Sequence, residues 1–346
     1  MSGSSVFRFL YSHHSFISLV LLASMAVGCW VVSPISIASS SQYQDATLNE
    51  DAAVDGIGIT LIPSEEDGFI EPCQNHINAL NISAPIDESQ PIQTRIDNIV
   101  SQGGIAIINH PRLFLELTSL DLARLTGYSG MEIFNAFVET EFQGRGDSTH
   151  LLDVVNSYRV ESGMDLVWGF AVDDAHQVDN LGRAWIVARA SRSDTDSVVD
   201  SLRRGSFYSS TGAAIEDIKV VARREIVVTT SEESTITFIA MGGVVVQRTE
   251  QPSSSASYHI QGNEGYVRVE IDNPSGRAWT QPMKVEGTGV ANDPYISKGR
   301  WLKGSIHCHT TESDGACTPR QILDWHSENG YSFLAITDHN KITIPT

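Results

Sequence analysis

Short apolar runs recur along the chain, many of them opened by Gly or Pro and closed by His, Asp or Glu. Residues 58–62 lead into Glu65, Glu66 and Asp67, and His76 opens the run that ends at Leu80. Residues 103–111 carry His110 at their tip, 130–137 carry Glu132 and Asn135, and 164–176 end on Asp174 and His176. Continuous apolar runs bounded by turn residues suit strands covered on both faces, so each reads as a buried strand. Between them the spacing changes to that of amphipathic helices, over 91–104, 119–127 and 150–163.

The pattern returns at 304–340. In an extended strand alternate side chains share a face, so His307 and His309 would point into one cavity while Cys308 points away. Asp314 adds a carboxylate just past that strand. The run 331–337 predicts a second buried strand that delivers Asp338 and His339 at its C-terminal tip. A Thr318 cap, Pro319 in the first turn and a Gly330 stop predict one helix between the two strands. Strand, helix, strand with ligand-type residues at both strand ends is the layout of an α/β barrel's active face. A lone His-x-His pair is more often part of a polar edge strand, and a single His at a strand end is more often structural. Asp314, the Asp338-His339 tip and the upstream histidines together favour metal ligands.

Residues 214–286 follow another rhythm, with short alternating runs punctuated by Gly, Asn and Pro. They predict a small antiparallel β module in which His259 is a surface strand residue. Residues 287–300 read as a linker, and His150 and His326 as structural residues within helices.

Composition narrows the function classes. A formal charge of −19 disfavours unspecific nucleic-acid binding, which relies on Lys and Arg neutralising phosphates. The apolar stretch 16–28 has the length of a signal-peptide core rather than a membrane span. Residues 1–41 are therefore expected to be a signal peptide and the protein to be exported. Ala26 to Cys29 resemble a lipoprotein cleavage box, which would attach the chain to a membrane through a lipidated Cys29, against ordinary cleavage near 36–42. Cys73, Cys308 and Cys317 have no metal-type spacing and do not form a disulfide framework; one bridge from Cys73 stays open.

These motifs, His-x-His with Ser-Asp-Gly, Thr-Asp-His, a Glu and a His, Asn-His-Pro and Asp-x-His, resemble those of the PHP (polymerase and histidinol phosphatase) superfamily of metal-dependent hydrolases, in its carbaryl-hydrolase-like branch. The resemblance covers 57–285 and 301–340. In that family the first two motifs come first; here they come last, which implies a circular permutant. The resemblance implies a distorted (β/α)7 barrel, its larger part at 42–213 and its first two strands at 301–346, with the β module between. It implies as ligands His307, His309, Asp314, His339, Glu66, His76, His110, Asp174 and His176, with Glu66 preferred to Glu65 by its distance from Pro63. Nitrogen and oxygen ligands in that number suit two or three divalent ions of manganese, iron or zinc. Arg112, Arg183, Asn340 and Lys341 are candidate substrate contacts.

The expected activity is hydrolysis of a small phosphorylated metabolite or nucleotide by a metal-activated hydroxide. The alternatives are a carboxylic or carbamic ester or amide hydrolase, and an exported binding protein without catalytic function.

Overall fold

Burial on both faces makes strands of the apolar runs, but how those strands pair differs from the expectation. The computed structural model describes residues 58–68, 75–113 and 117–345, and these described residues fall in one compact unit. The expected signal peptide, with Cys29, and Cys73 lie outside the described residues. Among the described residues no helix is long and apolar enough to cross a membrane.

The first strands are β1 (Thr60–Leu61), β2 (Ser64–Asp67), β3 (Ile77–Leu80), β4 (Ile105–Ile108), β5 (Gly130–Asn135) and β6 (Trp168–Val172). They are followed by β7 (Trp185–Ala190), β8 (Phe207–Ser210), β9 (Ile215–Val221), β10 (Glu225–Ala240), β11 (Val244–Arg248) and β12 (Ser253–His259). The last are β13 (Tyr266–Asn273), β14 (Gly276–Thr280), β15 (Met283–Glu286), β16 (Gly289–Val290), β17 (Arg300–Ser305) and β18 (Phe333–Leu334). The helices are α1 (Ile92–Ser101), α2 (Ser119–Arg124), α3 (Ala136–Glu141), α4 (Thr149–Glu161), α5 (Thr195–Arg203) and α6 (Pro319–Glu328).

Two sheets result. A five-stranded sheet runs β2-β3-β4-β5-β6, and a thirteen-stranded sheet follows the path β1-β18-β17-β7-β8-β14-β13-β10-β11, with β9, β12, β15 and β16 branching from it. The distorted (β/α)7 barrel implied by the resemblance, with its permuted strand order and inserted β module, is therefore corrected. Such a barrel needs parallel strands that each return through a helix. Here β2, β3 and β4 pair antiparallel, as do β17, β7 and β8, and no closed barrel forms among the described residues. Strands β2 and β3 follow one another in the chain with no helix among the described residues between them, and they pair antiparallel. Within 214–286, β14 pairs with β8 and carries the large sheet onward.

The C-terminal strands are interior members of that sheet. β18 lies parallel between β1 and β17, and β17 continues onto β7. Gly304 lies flat against the Phe333 ring, where an added Cβ would come within 2.1 Å of the ring, so only glycine fits there. Phe333 is fully buried with Ile62, Leu80, Ile107, Phe170, Leu302 and Ile306, residues from both sheets that form the core beneath the candidate site. Burying such a ring is worth roughly 1.5–3 kcal/mol.

Helices cover the outer faces. Ile96, Ile99, Leu122, Leu152 and Val155 of α1, α2 and α4 pack on the five-stranded sheet. Ile322 and Leu323 of α6 pack on Leu61, Leu334 and Ile336. Thr318 caps α6 through the Gln321 amide, with Gln321 returning the bond in a capping box. A buried bidentate pair ties α4 to β13: Arg268 donates to both Asp153 oxygens at 2.8 and 2.7 Å, and the Tyr266 hydroxyl donates to the same carboxylate at 2.8 Å.

Candidate metal centre

The nine residues implied by the resemblance lie on six segments whose backbones are hydrogen-bonded to one another where the sheets meet. Glu66 N–H donates to Asp338 O at 3.3 Å and Asn340 N–H to Glu66 O at 3.0 Å. Asp174 N–H donates to His307 O at 3.1 Å, and His309 N–H to Ala175 O at 2.9 Å. Asn109 N–H donates to His76 O at 3.0 Å. His307 and His309 lie just past the end of β17 rather than within it; the local extension comes from an isolated bridge between Cys308 and Ala175. The Ser-Asp-Gly loop closes over them. A Cβ on Gly315 would stand 2.4 Å from the His309 carbonyl oxygen, which is why that loop needs glycine.

Alternation along β2 decides between its acidic residues. Glu66 faces the centre, whereas Glu65 accepts the Ile86 N–H at 2.6 Å and Asp67 accepts from Arg95 at 3.1 Å. Glu66 Oε1 lies 2.9 Å from His76 Nδ1 and 3.3 Å from His110 Nε2. Its Oε2 lies 3.3 Å from His307 Nε2, 3.2 Å from His309 Nε2 and 3.5 Å from His339 Nδ1. Asp174 Oδ1 meets the same two nitrogens, at 3.2 Å from His307 and 3.1 Å from His309. Asp314 bridges the outer histidines, at 3.4 Å from His309, 3.5 Å from His176 and 3.7 Å from His339. Donor atoms within 4.8 Å of one another fall into four groups: Glu66 with His307 and His309; Glu66 with His76 and His339; Asp174 with His176 and His309; and His309 with Asp314 and His339.

This donor set fits divalent metal. His307 Nε2 and His309 Nε2 stand 3.2 Å apart, both aimed at the same two carboxylates, and buried His309 Nδ1 makes no hydrogen bond although the Asp314 carboxylate lies 3.4 Å away. Convergent imidazoles and carboxylates of this kind are the ligands of zinc, iron and manganese, and do not distinguish them. The electrostatics are those of a tightly coupled cluster. Burial alone would raise the Glu66 carboxyl, but His307, His76 and His339 outweigh it and hold Glu66 well below the usual range. Asp174 and Asp314 are lowered in the same way against their burial, Asp174 by His307 and His309, and Asp314 by His176 and His309. Burial would lower His309, yet Asp174 and Glu66 push it up to about 10, and Asp174, Glu66 and Glu132 carry His307 well above its ordinary value.

The four candidate substrate contacts fare differently. Asn340 is a link between segments, adopting a φ of 54° and accepting the Gly68 N–H at 3.1 Å. Lys341 is exposed and paired with Glu312, Arg112 is exposed and donates to the Asp147 carbonyl, and Arg183 is exposed. Three residues outside the implied ligand set enter the centre. Asn109 donates to Glu66 Oε1 at 2.8 Å, Asn135 donates to Asp174 Oδ2 at 3.0 Å, and Glu132 meets His307 Nδ1 at 2.6 Å. Glu132 and Asn135 stand on a run that the residue pattern singles out, but spacing along the chain does not reveal that they face His307 and Asp174. Asp338, beside His339, turns instead to the Ser-Asp-Gly loop, accepting the Ser313 hydroxyl at 2.8 Å and the Thr310 N–H at 2.7 Å.

No family model matches the chain, and no solved structure matches it. A stretch of 40 residues is 42% identical to the DNA polymerase/3'-5' exonuclease PolX of Bacillus subtilis (strain 168), covering 12% of this chain and 7% of that protein.

Proposed function

We propose that this chain is a metal-dependent hydrolase of the phosphoesterase type, similar in its site to the PHP superfamily. One observation carries the proposal: Glu66 belongs to two of the four donor groups and His309 to three, so that the groups share ligands and suit neighbouring ions rather than one closed structural ion. When bound, divalent ions supply a nucleophile from water at neutral pH and offset the charge that develops on a phosphoryl group. The chain's own residues bring Glu66, Asp174 and the imidazoles together in overlapping donor groups over a buried apolar core. Charge supports a small substrate, because a net −19 repels polyanionic nucleic acid while a cluster of cations draws in a compact phosphate locally. Metal-loaded protein assayed with phosphomonoesters, phosphodiesters, and carboxylic and carbamic esters, in manganese, zinc and iron, tests this. Phosphoester turnover is expected. Background phosphoester rates beside robust ester or carbamate cleavage would replace the proposal with the ester reading, and no turnover of any class would replace it with a binding protein.

A further inference from the structure

Glu132 lies at the end of the centre nearest β5, is fully buried, and belongs to none of the donor groups. Its two oxygens are fully engaged. Oε1 is 2.6 Å from His307 Nδ1; Oε2 accepts the His110 backbone N–H at 2.7 Å and the Asn135 side-chain amide at 2.9 Å. Asn135 passes the connection on to Asp174 Oδ2 at 3.0 Å. One carboxylate thus reaches three candidate ligands through a single hydrogen bond each or one intervening amide.

The geometry has a chemical consequence. A carboxylate can only accept, so Glu132 holds a proton on His307 Nδ1, and Nε2, beside Glu66 and Asp174, is the nitrogen left to a metal ion. His110 has a φ of 25°, a backbone conformation that side-chain-bearing residues seldom adopt, and its N–H is held by the same carboxylate. Without Glu132, the His307 ring can take the other tautomer and His110 loses the bond that holds its backbone in place.

We infer that Glu132 is a positioning residue that presets His307 and His110 for metal binding, without ligating or touching substrate. This rests on reading the centre as metal-binding. Glu132→Ala removes every acceptor. Glu132→Gln keeps one oxygen but turns an NH2 group toward a neighbouring donor, so its effect should be intermediate.

The test is a Mn2+ dissociation constant from chelator competition, on protein whose folding is checked by circular dichroism, together with 15N-histidine NMR to read the His307 tautomer. Wild type should show protonated Nδ1. Mn2+ affinity should fall roughly 10- to 100-fold in Glu132→Ala and less in Glu132→Gln, with loss of the single tautomer in both. If Glu132→Ala does not fold, Glu132→Gln alone decides. Wild-type Mn2+ affinity in a folded variant, or an unprotonated Nδ1 in wild type, would overturn the inference while leaving the metal centre standing. Wild type that binds no Mn2+ would overturn both.

Discussion

His309 and His76 are both candidate ligands, but the structure gives them unequal weight. His309 Nε2 is 3.1 Å from Asp174, 3.2 Å from Glu66 and 3.2 Å from His307, its Nδ1 is 3.4 Å from Asp314, and it enters three of the four donor groups. His76 enters one group, meets Glu66 at 2.9 Å, and keeps 13% of its side chain exposed at the rim. His309→Ala should therefore strip nearly all bound metal, whereas His76→Ala should remove one ion and leave the rest. Losing an outer partner of a ligand already costs roughly 10- to 100-fold in affinity or activity, so losing a shared ligand should cost at least roughly 100-fold in hydrolysis. Metal content per chain, measured by plasma mass spectrometry after manganese loading and gel filtration, reads this directly, and thermal melts of both variants guard against unfolding. Equal metal loss in the two variants, or full metal content in folded His309→Ala, would refute the reasoning.

Ending the chain at Pro294 removes β17, α6 and β18 from the interior of the large sheet, and should abolish both bound metal and a cooperative unfolding transition, which metal analysis and urea titration would show. Arg268→Ala leaves Asp153 buried and without its bidentate partner, so urea unfolding should report a loss of about 3–5 kcal/mol; a loss below about 1 kcal/mol would show that the pair contributes little. Burial lowers His326 from 6.5 to about 4, with Nδ1 bonded to the Ile322 carbonyl at 2.7 Å. The unfolded chain then binds a proton that the folded one refuses, so stability is complete above pH 6.5 and falls as pH drops toward 4, by up to about 3 kcal/mol. In urea titrations the gap between wild type and His326→Gln should narrow from pH 7.5 to 4.5; a constant gap would refute the shift.

Much of the centre is legible along the chain because ligand-type residues stand at the ends of apolar runs, and a run that enters the core must present its last polar residues where the core stops. The α6 helix is legible for a local reason, the cap of Thr318 with Pro319 behind it. Pairing is not legible this way. The run holding Glu66 and the run holding His76 read alike as buried strands, yet whether they lie parallel or antiparallel depends on the path of the connection between them and on the neighbours each meets. The barrel expectation failed there and at β7 and β8, where a helix intervenes and the strands still run antiparallel.

The sequence by itself determined which apolar runs enter the core and which ligand-type residues stand at their ends, and its resemblance implied that His307, His309 and His339 have partners far upstream in the chain. Tertiary structure decided that Asn340 links segments and that Glu132 stands behind His307. The physical reason is range. Periodicity and capping act over a few residues, whereas the 2.6 Å contact between Glu132 and His307 joins positions 175 residues apart and exists only once two sheets have packed.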